Sequence, residues 1–156
     1  MLNVLAAIEG TAFSTWLRES PSIWAYPTIL TLHTVGLALL VGPSWALDLR
    51  LLGFAPSIPL RVMEKTFPAM WIGFWLNGIS GVLLFAADAT SKGATLLFAT
   101  KLVLIAIAVV NIFAIRQIVY RRGPEPVSGL TAKTLAVVSI VLWVAAIGTG
   151  RWMAYV

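Results

Sequence analysis

The sequence predicts an all-α integral membrane protein, a four-transmembrane-helix bundle preceded by an amphipathic surface helix, in a single domain over residues 1–156. Hydrophobic residues make up 60% of the chain and charged residues 11%, whereas a soluble domain has about 45–50% and about 25%. The apolar residues form four stretches, each long enough for the ~20 residues that a bilayer requires. The charged residues lie mainly between these stretches.

The N-terminal segment, residues 2–19, is too short and too polar to span a bilayer. Its apolar residues share one side of a helical wheel and its polar residues another, which is typical of a helix lying on the membrane surface. Glu9 falls unusually in the middle of the apolar side. Ser20-Pro21-Ser22 predicts the end of this helix and the cap of the next.

The four predicted transmembrane segments are residues 22–52, 66–87, 94–119 and 131–153. Gly42-Pro43 predicts a kink in the first, and Gly123-Pro124-Glu125-Pro126 predicts an irregular loop before the last. Small residues line one side of the second and fourth segments, where they favour close helix packing or leave a slot for a flat ligand. Asp48 and Arg50 are interpreted as an ion pair at the membrane boundary.

The basic residues predict the orientation. Seven flank the first and third connections, and three lie at the other side of the membrane. The positive-inside rule therefore places those connections in the cytoplasm and both termini outside, in the periplasm of a Gram-negative host. Because these residues flank apolar segments, we expect a lipid bilayer as their partner and no nucleic acid. The absence of cysteine excludes disulfides, iron–sulfur clusters and covalently attached haem within the chain.

His33 is the only histidine and lies about 11 residues into the first segment, roughly 16 Å along a helix and so near the middle of the ~30 Å core. An imidazole there is an axial haem ligand, a proton relay, a hydrogen-bond donor to a quinone, or a structural group bonded to a neighbouring helix. Tyr26 lies on the same helix side, and Gly36 is expected to open space one turn away. Lys101 is expected to reach the surface or to pair with Glu9, Asp88 or a ligand carboxylate.

A resemblance to known families is carried by several segments: Tyr26-Pro27, Leu32-His33, Gly36, Gly42, Asp48-Leu49-Arg50-Leu51-Leu52-Gly53, Phe85-Ala86-Ala87-Asp88-Ala89, Lys101, Asn111 and Gly150-Arg151-Trp152-Met153-Ala154-Tyr155. Over nearly its whole length the chain resembles an uncharacterised bacterial inner-membrane family known only as a domain of unknown function. That resemblance implies four transmembrane segments with a surface helix, and no particular activity.

A weaker likeness concerns His33 and Lys101-Leu102. These residues are similar to features of the membrane protoporphyrinogen oxidase and copper-resistance membrane protein families. The oxidase family binds haem b through the histidine of its first segment, which implies the same role for His33. The chain has no second histidine, and it lacks the histidine and methionine richness expected of a copper carrier.

The leading hypothesis is a non-catalytic membrane subunit that binds a b-type haem and serves electron transfer or anchors a redox system. His33 would be the metal ligand, Lys101 and Arg151 would face the propionates, and Tyr26, Gly36 and Asn77 would complete the site. A second axial ligand would come from another copy in a homo-oligomer, from water, or not at all. The alternatives are a cofactor-free subunit that assembles with other membrane subunits, and a small transporter or quinone-site protein.

Overall fold

The structure is a computed structural model that describes residues 2–121, 129–153 and 155. The predicted loop at residues 123–126 lies outside the described residues. The described chain is helical and contains no strand, with α1 at Leu2–Glu9, α2 at Ala12–Glu19, α3 at Tyr26–Leu52, α4 at Leu60–Met63, α5 at Phe67–Ala87, α6 at Ala89–Gly93, α7 at Leu96–Ile115 and α8 at Leu130–Trp152. A 3₁₀ turn at Glu64–Thr66 joins α4 to α5, and a π turn at Arg116–Tyr120 extends α7.

Four helical segments are long and apolar enough to cross a membrane, namely Tyr26–Leu52, Leu60–Ala87, Leu96–Tyr120 and Leu130–Trp152. The predicted fold class, a multi-pass all-α membrane protein, is confirmed. The first segment starts at Tyr26, with Pro27 in its first turn, where a missing N–H costs nothing. α3 continues through Pro43 as one helix.

The N-terminal segment is two short helices, so the prediction of one helix over residues 2–19 is wrong in this detail. The chain breaks at Gly10 and Thr11 because Thr11 caps α2 by accepting a hydrogen bond from the Ser14 N–H at 3.3 Å. The buried Ser14 hydroxyl donates to the Ile8 carbonyl at 3.0 Å and ties the two helices together. Both helices pack on the end of the bundle where α5 finishes, which we term the surface-helix end.

The core lies between the four long helices, and its largest fully buried side chains include Trp143, Phe67, Leu47 and Met70. α3 packs most extensively on α5, and α8 packs on both α7 and α3. Glycines bring α3 and α5 together, because a Cβ added at Gly73 would lie 2.5 Å from the Leu40 nitrogen. α5 and α7 meet through aromatic rings, Trp71 with Phe113 and Phe85 with Phe98, at centroid distances of 4.9 and 4.6 Å.

The opposite end, which carries Arg50, Arg61, Lys65 and Lys133, is termed the basic end. Here Arg50 donates to the carbonyls of Ile58 at 2.5 Å and Pro56 at 3.2 Å. Asp48 points inward and is fully buried. The ion pair predicted between Asp48 and Arg50 is therefore wrong, because two residues so close along a helix point in different directions.

Candidate functional site

His33 is bound on one side by α5. Its Nδ1 lies 3.0 Å from the backbone carbonyl oxygen of Asn77 and 3.1 Å from the hydroxyl oxygen of Ser80. In return the Asn77 side-chain amide donates to the His33 carbonyl at 2.8 Å. Since α3 begins at Tyr26, His33 lies seven residues, roughly 10 Å, into the helix. The residue is thus nearer the surface-helix end than the sequence indicated.

These contacts fix the tautomer of the imidazole. A carbonyl oxygen only accepts hydrogen bonds, so Nδ1 carries the proton that is donated to Asn77. The Ser80 hydroxyl proton is donated to the Leu76 carbonyl at 2.6 Å. The Ser80 oxygen is therefore an acceptor toward Nδ1, whose single proton it shares with the Asn77 carbonyl. Nε2 of the neutral ring keeps its lone pair. No hydrogen bond to Nε2 comes from any residue that the structure describes.

Two glycines shape the surroundings of the ring. At Gly81 an added Cβ would lie 3.1 Å from Cε1 of His33, so the ring rests against the α5 backbone. At Gly36 an added Cβ would lie 2.5 Å from the Asn77 nitrogen. The α5 backbone therefore fills the space that Gly36 was expected to open, because α3 and α5 touch at this point.

Lys101 is the residue that α7 contributes to the surroundings of His33. Its half-buried ammonium acts electrostatically on His33 and rests against α8, where an added Cβ at Gly150 would lie 3.2 Å from Nζ. Within the described part of the chain, Lys101 has no hydrogen-bond or ion-pair partner. We refer to His33, Asn77, Ser80 and Lys101 together as the His33–Lys101 site, in which Lys101 acts on His33 through its charge and not through a hydrogen bond.

The proposed carboxylate partners of Lys101 are engaged elsewhere. Asp88 pairs with Lys92 at 3.0 Å. Glu9 accepts hydrogen bonds from the hydroxyl and, at 2.8 Å, the backbone N–H of Thr90, and it pairs with Arg18 at 3.3 Å. The Thr90 hydroxyl and N–H, together with the Arg18 charge, hold the pKa of Glu9 below its usual value, although desolvation opposes them. This cluster fastens α1 and α2 to α6.

The structure brings together three of the six residues assigned from sequence, His33, Asn77 and Lys101, and places Gly36 one turn away in the interface between α3 and α5. Tyr26 is 41% exposed at the start of α3. Arg151 is exposed and donates to the Tyr155 hydroxyl at 3.3 Å. Neither residue makes a hydrogen bond or ring contact to His33, Asn77 or Lys101 among the described residues. Ser80, Gly81 and Gly150 join those three, and their signal was the spacing of small residues along one helix side.

A protein-family model matches residues 19–156 of the chain. The chain belongs to DUF6644, a family of unknown function. The DUF6644 match contains all four long helices and every residue of the His33–Lys101 site, whereas α1 and almost all of α2 precede it. No curated protein and no solved structure matches the chain. The predicted membership of an uncharacterised family is confirmed.

Proposed function

We propose that this member of DUF6644 is a membrane subunit that holds a b-type haem through Nε2 of His33 and serves electron transfer or anchors a redox complex. The observation that carries the proposal is the pairing of Nδ1 with the Asn77 carbonyl and the Ser80 hydroxyl. Histidines that bind metals almost always donate their other ring N–H in this way, which orients the ring and raises its basicity.

Two features of the residues around the ring support the proposal. His33 is half-buried, and its free nitrogen has a lone pair to donate. The unpaired Lys101 ammonium nearby would bind a propionate carboxylate. α3 and α5 are in contact at Gly36, so the ligand would not lie between these two helices. When bound, haem supplies one-electron exchange, while the protein orients the imidazole and neutralises a carboxylate.

Purified protein tests this directly through its Soret absorption and its pyridine haemochrome. We expect haem in the wild-type protein and none in His33→Asn. The asparagine amide still donates to the Asn77 carbonyl, so the contact between α3 and α5 survives while the metal ligand is lost. In His33→Gly, added imidazole should restore the Soret band. Wild-type protein that contains no haem when produced with ample haem supply contradicts the proposal.

A cofactor-free structural subunit is the second candidate, and the reciprocal bonding of His33 and Asn77 favours it. Under that hypothesis the imidazole only joins α3 to α5. His33→Asn would then be as stable as the wild type, and neither protein would bind haem. The chain would also purify with other membrane subunits.

The proposed location is a bacterial inner membrane, with the basic end in the cytoplasm and both termini in the periplasm. The basic residues Arg50, Arg61, Lys65 and Lys133 at one end support this orientation. Reporter domains fused to each terminus test it, since a periplasmic phosphatase should be active and a cytoplasmic fluorescent protein inactive. A second haem ligand would come from water or from a second copy of the chain.

A further inference from the structure

A second polar site lies in the half of the bundle nearest the basic end, away from His33. Asp48 on α3 is fully buried, at 0% exposure, and neither of its carboxyl oxygens has a hydrogen bond of normal geometry to a described residue. Two buried hydroxyls adjoin it. Ser139 on α8 is the neighbouring polar group of the carboxyl, and Ser44 lies one turn earlier on α3, 3.4 Å from Ser139 between the two hydroxyl oxygens.

Among the residues that the structure describes, no charged group of the surrounding elements is hydrogen-bonded to this carboxyl. Arg50 is bound to the carbonyls of Ile58 and Pro56. Arg116, after α7, stacks over the Phe67 ring at 5.5 Å from its centroid. Lys133 on α8 and Arg61 on α4 are exposed, and α5 contains no charged residue. Asp48 is thus an acidic group in an apolar interior without a cation beside it among the described residues.

An ionised carboxylate in such surroundings is strongly unfavourable unless something neutralises it. A metal ion would require several more oxygen ligands, and no group of three His, Cys, Asp or Glu residues occurs in the described chain. A proton needs no extra space and no extra ligands. We infer that Asp48, with Ser44 and Ser139, forms a proton-binding site that exchanges protons with the basic end of the bundle.

The position of Asp48 sets the side of exchange. It lies four residues before the end of α3 at Leu52, or roughly 6 Å along the axis, and 15 residues from His33, or roughly 22 Å. In the step itself, a proton from water at the basic end adds to one carboxylate oxygen on uptake and leaves from it on release. The inference is independent of haem, since no atom of the His33–Lys101 site takes part.

Infrared spectroscopy of the full-length protein tests the inference, because the chain contains only two aspartates, Asp48 and Asp88. In protein that carries isotope-labelled aspartate and the Asp88→Asn substitution, the labelled carboxyl signal comes from Asp48 alone. We expect a neutral-carboxyl band at neutral pH that moves in deuterium oxide and disappears reversibly at alkaline pH. In Ser139→Ala the band should shift in frequency, because a neighbouring hydroxyl is lost.

Three results would overturn the inference. The first is an ionised Asp48 signal at neutral pH. The second is a neutral band that persists until the protein unfolds, which would show a permanently neutral acid. The third is a band abolished by sodium or potassium chloride at constant pH, which would show a metal-cation site. The Asp48→Asn protein with labelled aspartate is the control, and the band assigned to Asp48 should be absent from its spectrum.

Discussion

His33 and Asn77 bind each other twice across the interface between α3 and α5. The imidazole Nδ1 donates to the backbone carbonyl of Asn77 at 3.0 Å, and the side-chain amide of Asn77 donates to the backbone carbonyl of His33 at 2.8 Å. The same pair of residues therefore joins two helices and sets the direction of the imidazole. Helix packing and the chemistry of His33 are therefore coupled.

Gly73→Ala should destabilise the protein by about 1–3 kcal/mol, the usual cost of overpacking. The added methyl group would lie 2.5 Å from the Leu40 backbone nitrogen, so α3 and α5 would have to separate. Gly78→Ala on the same helix is the control, because an added Cβ there meets no atom within 4 Å. It should be neutral or stabilising by up to ~1 kcal/mol. The free energy of unfolding in mixed detergent micelles measures both, and equal losses would contradict the proposed contact.

Asn77→Ala and Asn111→Ala should each cost about 0.6 kcal/mol, a typical value for a hydrogen bond between membrane helices. Asn111 also donates to a backbone carbonyl on a neighbouring helix, that of Leu135 at 3.0 Å. Both variants should keep the hydrogen bond from the His33 ring, because the Asn77 oxygen that accepts it belongs to the backbone and Asn111 lies between α7 and α8. Imidazole nitrogen resonances of His33 that report a lost Nδ1 hydrogen bond in Asn77→Ala would contradict the assignment of the backbone carbonyl as the acceptor.

The attachment of α1 to α6 should weaken in acid. The Thr90 hydroxyl and N–H lower the pKa of Glu9 below its ordinary value of 4.5. A lowered folded-state pKa contributes stability at pH values above 4.5, and this contribution is lost as the pH falls through the lower folded value. Hydrogen exchange of the α1 amides should therefore accelerate, relative to the core helices, in that acidic range.

Glu9→Ala should remove this pH dependence and leave α1 poorly protected at every pH. Glu19→Ala is the matched control, because Glu19 also contacts Arg18 but its side chain is 63% exposed. That variant should behave as the wild type does. An acid-induced loss of protection that survives in Glu9→Ala would assign the effect to another group.

Under the proposed haem-binding function, Lys101→Gln should weaken haem binding about tenfold, as expected when a charge-assisted hydrogen bond of about 1.5 kcal/mol is lost. The control is Lys92→Gln, because Lys92 is already paired with Asp88 at 3.0 Å. Haem titration of the apoprotein gives both affinities. If the two variants bind haem equally well, Lys101 does not bind a propionate, whereas the role of His33 is unaffected.

Several residues of the candidate site could be predicted from the sequence, but the contacts between them could not. His33 and Lys101 stood out because ionisable residues are rare in apolar segments. The predictions for Gly36 and Asp48 were wrong. The α5 backbone fills the space beside Gly36. The Asp48 carboxyl faces inward and has no hydrogen-bond partner among the described residues. Each depends on which neighbouring helix lies opposite, and that is information from distant parts of the chain.

The number, length and approximate bounds of the transmembrane helices could be predicted from the amino-acid sequence, because hydropathy over about 20 residues is a local property. The rotation of each helix about its axis depends on its contacts with the other helices and could not be predicted in this way. In a membrane the side facing lipid and the side facing the core are both apolar, so periodicity carries little information about orientation. The close contact of α3 with α5 turned His33 toward Asn77 and Ser80, and the contact of α3 with α8 buried Asp48 beside Ser139.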